Sequence, residues 1–312
     1  MSASAPAAKP DPARPARRGL THGRAVALMV LVTLMWATAG VVTRQLERAA
    51  SFEVTFWRSF FTLLAMALIL GAWRGGRGLW RSLREGGRHL WISGACWSVM
   101  FTAFMVALTL TTTANVLVTL AIGPLLAALA ARLFIGHRLP PRTWAAIAVA
   151  GAGIAWMYGA QIGDQGALAG TLVALCVPVA GACHWTNVQQ AHAGGADVDL
   201  LPAVLIGAAV SAACTLPLAW PFTASGRDLA LLGFLGVFQL AIPCMLSMVV
   251  AGVLKAPEVA LLALLEVLFG IALAWFGAGE VPAPTVFSGG LLVIGALVAN
   301  EWLGWRGARV AR

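Results

Sequence analysis

Two charged side chains stand out within long apolar stretches of this 312-residue chain: Arg58, near the end of one, and Glu266, about halfway along another. A guanidinium offers a planar fork of donors that matches a carboxylate, and a carboxylate can bind a cation or carry a proton. In hydrocarbon such a group costs roughly 2–3 kcal/mol on insertion scales, so each must face a partner, the bundle interior or a wet cavity. The chemistry open to the pair is recognition of a polar solute, or coupling to a proton or ion. Structural alternatives stand beside it: Arg58 lies near the end of its stretch and can snorkel to the interface, and Glu266 can serve as a hydrogen bond between helices. Glu258, on roughly the same stripe as Glu266, reads as a capping or interfacial charge.

Neutral polar groups add to this set. Asn115, His184, Asn187 and Gln239 fall in other apolar stretches, where they can line a cavity or act as glue between helices. Trp36 and Trp185 occupy similar depths in corresponding stretches, so the two rings can wall a path symmetrically; other tryptophans near stretch ends read as interface anchors. Pro178, Pro217 and Pro243 are placed to kink helices and free carbonyls. No cofactor or metal site is expected. Cys96, Cys176, Cys183, Cys214 and Cys244 all lie in apolar stretches without a CxxC pair, so neither disulfides nor metal binding is expected of them. No P-loop, GxSxG, HExxH or dinucleotide fingerprint occurs in a suitable setting, and no Asp lies deep in a stretch, so enzymatic activity is not expected.

The elements that must position these residues are membrane-spanning helices. Hydrophobic residues make up 60% of the chain and charged residues 11%, where a soluble domain carries about 25% charge. About 20 mostly apolar residues make one crossing. Ten such stretches are predicted, near 25–43, 53–72, 90–109, 114–134, 142–160, 167–187, 199–220, 229–252, 258–278 and 284–303. The links are too short for an extramembrane domain, so the class is an all-α integral membrane protein in a lipid bilayer.

Charge placement decides what the net charge of +9 means. With a cytoplasmic N-terminus, Lys9, Arg14, Arg17, Arg18 and Arg24 lie inside, as do Arg74, Arg77, Arg81, Arg84 and Arg88. Arg132, Arg138, Arg142, Lys255, Arg306, Arg309 and Arg312 join them, and only Arg44, Arg48 and Arg227 fall outside. This positive-inside bias supports ten crossings with both termini cytoplasmic, and it replaces nucleic acid binding as the account of the charge. Residues 1–23, rich in Ala, Pro, Arg and Ser, read as a disordered cytoplasmic arm, and 304–312 as a basic cytoplasmic tail. A cleavable signal ending at Ala37–Ala39 is the alternative reading of the N-terminus; the first stretch is long for one.

The chain also repeats itself. Shifting Thr113–Tyr158 by 143 residues lays Gly136 and His137 over Gly279 and Glu280, Pro141 over Pro284, and Gly123 and Pro124 over Glu266 and Val267. The repeats are assigned to 24–160 and 166–303, five helices each. An odd number per repeat sends the second half into the membrane from the opposite side, giving inverted topology. Folds of this kind place a solute path near the midplane between the repeats, which points to a transporter; a duplicated, nontransporting scaffold is the alternative.

Leu120–Pro124 with Leu133–Gly136, the Leu264–Val267 run LLEV, Gly279–Glu280, and the Phe56–Ser59 run FWRS resemble the EamA-type family of the drug/metabolite transporter superfamily. The resemblance implies ten helices in two five-helix repeats, a bacterial inner-membrane location and export of small metabolites such as amino acids, or of drug-like compounds. The sequence departs from the family pattern at His137, where that pattern has Glu, and at Val267, where it has Pro. The expected function is a secondary exporter of a small solute working by alternating access, as a monomer or homodimer. A proton-coupled multidrug or cation efflux carrier is the alternative within transport.

Overall fold

Backbone N–H and C=O groups in hydrocarbon have no water to bond, so apolar runs of this length satisfy them within helices. The computed structural model describes residues 20–136, 138–159, 165–193, 199–251, 253–254, 259 and 262–310. The expected N-terminal arm up to residue 19, and His137, Glu258 and Lys255, lie outside the described residues.

The helices are α1 (His22–Thr43), α2 (Ser51–Glu85), α3 (Gly87–Leu110), α4 (Thr113–Leu120), α5 (Gly123–Ile135), α6 (Pro141–Gly159), α7 (Gln165–Ala193), α8 (Pro202–Ala219) and α9 (Gly226–Phe234). A π-helical stretch, Leu235–Ala241, then joins α9 to α10 (Ile242–Ala251), followed by α11 (Leu265–Ala278) and α12 (Pro284–Val310). No strand occurs among the described residues. Eight helical stretches among them are long and apolar enough to cross a membrane, one of them Thr113–Ile135, which joins α4 to α5; Leu265–Ala278 is a shorter apolar helix.

Three local departures from the expected outline have physical causes. α2 continues to Glu85 through a bend at Gly75, so the basic link after the second stretch is largely helical. The expected tail is also helical, as the last turns of α12 up to Val310. The fourth and ninth stretches are interrupted. Ala121 and Ile122 form a turn before Gly123 and Pro124, and a turn falls at Leu264, 143 residues after Ala121, so Glu266 sits in the first turn of α11 and not midway along a continuous helix.

Pairing of the helices is reciprocal. α1 packs on α11 and α7 on α5; α3 packs on α7 and α1 on α10; α2 packs on α8, and α6 on α12. α5 and α11 both end at a left-handed glycine, Gly136 at φ 80° and Gly279 at φ 67°. The largest buried cluster centres on α3 and α4, with Phe104, Met105, Leu108, Val116 and Leu117, and reaches α11 and α12 through Val267 and Val293. Large apolar side chains such as Leu68, Leu133, Phe276 and Phe287 point outward with well over half their surface free, as a lipid-facing surface requires.

The bundle has two distinct ends. The end carrying Arg44 gathers the α1–α2, α3–α4, α8–α9 and α11–α12 links, as contacts from Arg44 to Thr111 and Glu280 and from Asp228 to Glu47 demonstrate. The opposite end carries Arg74, joined to Asp199.

Candidate functional site

Arg58 reaches the interior from α2 and is only 2% exposed. Its Nε and Nη2 both donate to Gln239 Oε1, at 3.2 and 2.9 Å, and its guanidinium lies 5.9 and 5.6 Å from the ring centroids of Phe101 and Phe104 on α3. These ring faces favour a cation, yet a neutral amide and two rings leave the charge uncompensated. Nη1 is buried with no hydrogen-bond partner. The arrangement excludes snorkelling, because the head group is enclosed by protein.

Gln239 owes its position to the backbone around it. Pro243 has no N–H to return to the carbonyl of residue 239, so an α-helix cannot close there. The chain widens into the π-helix Leu235–Ala241, in which the N–H of Ile242 bonds the carbonyl of Val237. Gln239 projects from this wide turn, 2% exposed, and its Nε2 donates 3.2 Å to the carbonyl of Trp36 on α1. The same turn presses on α2. A Cβ added at Gly236 would lie 2.8 Å from the Arg58 carbonyl, so glycine alone permits this approach. Thr62 Oγ1 spans the contact by donating to the carbonyls of Arg58 and Gly236.

Glu266 comes from the other side. It is half-buried, and its carboxylate has no hydrogen bond or ion pair among the described residues. The carboxylate is close enough for Arg58 to feel its charge, although the two do not touch. A buried cation with a spare donor and a carboxylate without a partner among the described residues therefore lie within electrostatic range of each other. The Cys244 thiol, buried on α10, lies within the same electrostatic neighbourhood.

The remaining expected residues separate into other settings. Trp36 is half-buried between two apolar clusters beside Gln239. Trp185 does not mirror it: the ring is 56% exposed, so the symmetric wall is not formed. The cause is helical phase, because α7 turns its neighbours His184 and Thr186 inward. His184 packs edge-on against Trp97 at 5.5 Å, with Nδ1 buried and unpartnered. Asn187 is fully engaged, donating to the His89 carbonyl and Ser93 Oγ and pairing with His89 Nδ1, which is helix-to-helix glue. Asn115 donates to Thr111 Oγ1 in the link just before α4 and leaves Oδ1 unpartnered. The structure thus brings Arg58, Gln239, Trp36 and Glu266 to one neighbourhood, while Trp185 and Asn187 lie in other settings and His184 reaches it only through Trp97 and Phe101.

Two buried carboxylates went unnoticed among the candidates. Glu53 and Asp228 are both 0% exposed. Glu53 accepts from the N–H groups of Thr223 and Ala224 and from Thr223 Oγ1; Asp228 accepts from the N–H groups of Glu47, Arg48 and Ser225. Both tie the α1–α2 link to the α8–α9 link. A groove of about 550 Å³ between α5 and α7, lined by Pro124, Ala131, Arg138 and Gln189 among others, lies at the Arg74 end and includes none of the central charges.

Residues 23–159 match the model of the EamA-like transporter family. A solved structure titled only "Crystal structure of protein" superposes on 92% of this chain and 99% of its own, with a TM-score of 0.61 at 20% identity, which is a likeness of fold alone. No curated protein matches the sequence significantly. The family match thus covers residues 23–159, which lie in a fold with several helices long and apolar enough to cross a membrane, and the matched family belongs to the drug/metabolite transporter superfamily.

Proposed function

We propose that the protein is a secondary transporter that exports a small metabolite, amino-acid-like in its charges, across the bacterial inner membrane by alternating access. The observation that carries this reading is the pair Arg58 and Glu266: opposite charges within electrostatic range and not paired with each other. A zwitterion satisfies both, its carboxylate on Arg58 Nη1 and its ammonium on Glu266, and replaces the solvation each group gave up. Ten crossings in two inverted repeats, 24–160 and 166–303, with both termini cytoplasmic, supply the framework. Reciprocal helix pairing, the matched interruptions at Ala121 and Leu264, and the matched glycine ends at Gly136 and Gly279 support that framework. Interrupted helices near a midplane site are a recurring transporter device.

Counterflow into liposomes loaded with labelled amino acids, sugars or cationic dyes tests the reading. Wild type should exchange a zwitterionic solute, Arg58→Lys should retain a reduced flux, and Arg58→Leu should abolish it. If cationic dyes alone are exchanged and Glu266→Gln stops their proton-driven efflux, the multidrug or cation carrier replaces this proposal. If no solute exchanges in protein shown to be folded, the scaffold reading replaces both.

A further inference from the structure

At the Arg74 end, α2 does not stop where it leaves the apolar core. Gly75, at φ 73° and ψ 154°, turns the chain in a backbone conformation that costs a side-chain-bearing residue dearly, and a further helical stretch runs over 76–85. The elbow is fixed. Arg74, before the bend, pairs with Asp199 and donates to Ser82 Oγ beyond it. Leu79 and Leu83, one turn apart, pack against the buried Leu90, Ala203 and Ile206 region and the cluster around Leu70. The opposite face is left free, and it is unusual in composition. Arg77, Arg81, Arg84 and Arg88 are exposed, and Trp73, Trp80 and Trp91 are 66, 67 and 56% exposed beside them. The one acidic contact along this face, Arg81 to Glu85 at 4.0 Å, involves side chains that are both over 70% exposed and neutralises little.

Arginines as a topology signal need only be present on one side of the membrane; they need no rigid shelf and no tryptophans between them. Three large indoles held outward beside four exposed guanidiniums match the bilayer interface, where rings sit among headgroups and guanidiniums meet phosphodiesters bidentately. We propose that the outer face of 76–85 and the start of α3 is a docking shelf for the headgroups of anionic phospholipids in the leaflet it faces. This rests on the membrane-spanning reading and is independent of which solute is carried. The shelf also clamps the α2 elbow against the α7–α8 link, so bound lipid stabilises the Arg74–Asp199 joint.

Native mass spectrometry of the full chain, released from detergent containing equal phosphatidylglycerol and phosphatidylcholine of identical acyl chains, tests this. Wild type should retain phosphatidylglycerol about tenfold over phosphatidylcholine, and Arg77→Gln/Arg81→Gln/Arg84→Gln should fall to near parity. The corresponding triple lysine variant should keep most of the preference, and Arg132→Gln, elsewhere on the chain, should keep all of it. Added glycerol phosphate should leave the preference standing. Parity in wild type, preference surviving in the glutamine variant, equal loss in Arg132→Gln, or displacement by glycerol phosphate would each overturn the proposal. Should the glutamine variant fail to fold, wild type decides alone through salt: the preference should drop severalfold between about 50 and 500 mM, and its persistence overturns the shelf.

Discussion

The two ends of the bundle are built on different principles. At the Arg44 end, two carboxylates are fully buried and bonded by the chain's own N–H groups. Glu53 and Asp228 grip opposite links, and Glu280 accepts from Arg44 Nε at 2.8 Å, from Thr113 Oγ1 at 2.9 Å and from the Thr113 N–H. At the Arg74 end, the cross-links among the described residues are the half-exposed Arg74–Asp199 pair, the Asn187 cluster and the 2.9 Å bond from Thr143 to Asn300. The difference teaches that one end is a clamp whose breakage exposes orphaned backbone, while the other is joined by side-chain pairs, of which the Arg74–Asp199 bridge is open to water.

Mutations that break or sharpen this contrast fall in a definite order. Glu53→Ala should have the largest effect, about 3 kcal/mol of lost stability, because it removes a fully buried carboxylate that is the shared acceptor of the Thr223 and Ala224 N–H groups and the Thr223 hydroxyl; a fall in the thermal midpoint in detergent measures it. Glu280→Ala should cost about 1–2 kcal/mol by the same assay, since the Thr113 N–H and Arg44 each lose a charged acceptor in a partly wet setting. Arg74→Ala, at the other end, should cost about 0.5 kcal/mol, as Asp199 is 43% exposed. If Arg74→Ala proved as costly as Glu53→Ala, the contrast between clamp and joint would disappear.

Much of this arrangement was legible in residue types, and less in their pairing. Apolar length located the helices because lipid admits few alternatives, and the shift of 143 residues anticipated which turns correspond. Arg58 and Glu266 stood out because charge in hydrocarbon is costly. Gln239 was visible as a polar residue and Pro243 as a breaker, but joining them required seeing that the missing N–H falls on Gln239's carbonyl and is relieved by a π turn. Glu53 and Asp228 escaped for a different reason. A carboxylate in a first turn reads as an ordinary helix-dipole acid, and its partners lie more than half the chain's length away in sequence. Trp185 misled because depth along a helix is readable from spacing, whereas azimuth depends on which neighbours the helix meets.

The wide turn at Leu235–Ala241 acts as a phase shifter within its own crossing. One surplus residue there rotates everything downstream by about 100° relative to a regular helix, so α9 and α10 each show the bundle a face that an unbroken coil would align differently. Removing a single residue from this stretch would regularise the coil and swing Gln239 away from Arg58, uncoupling the guanidinium from α1 while keeping every side chain of the site in the sequence.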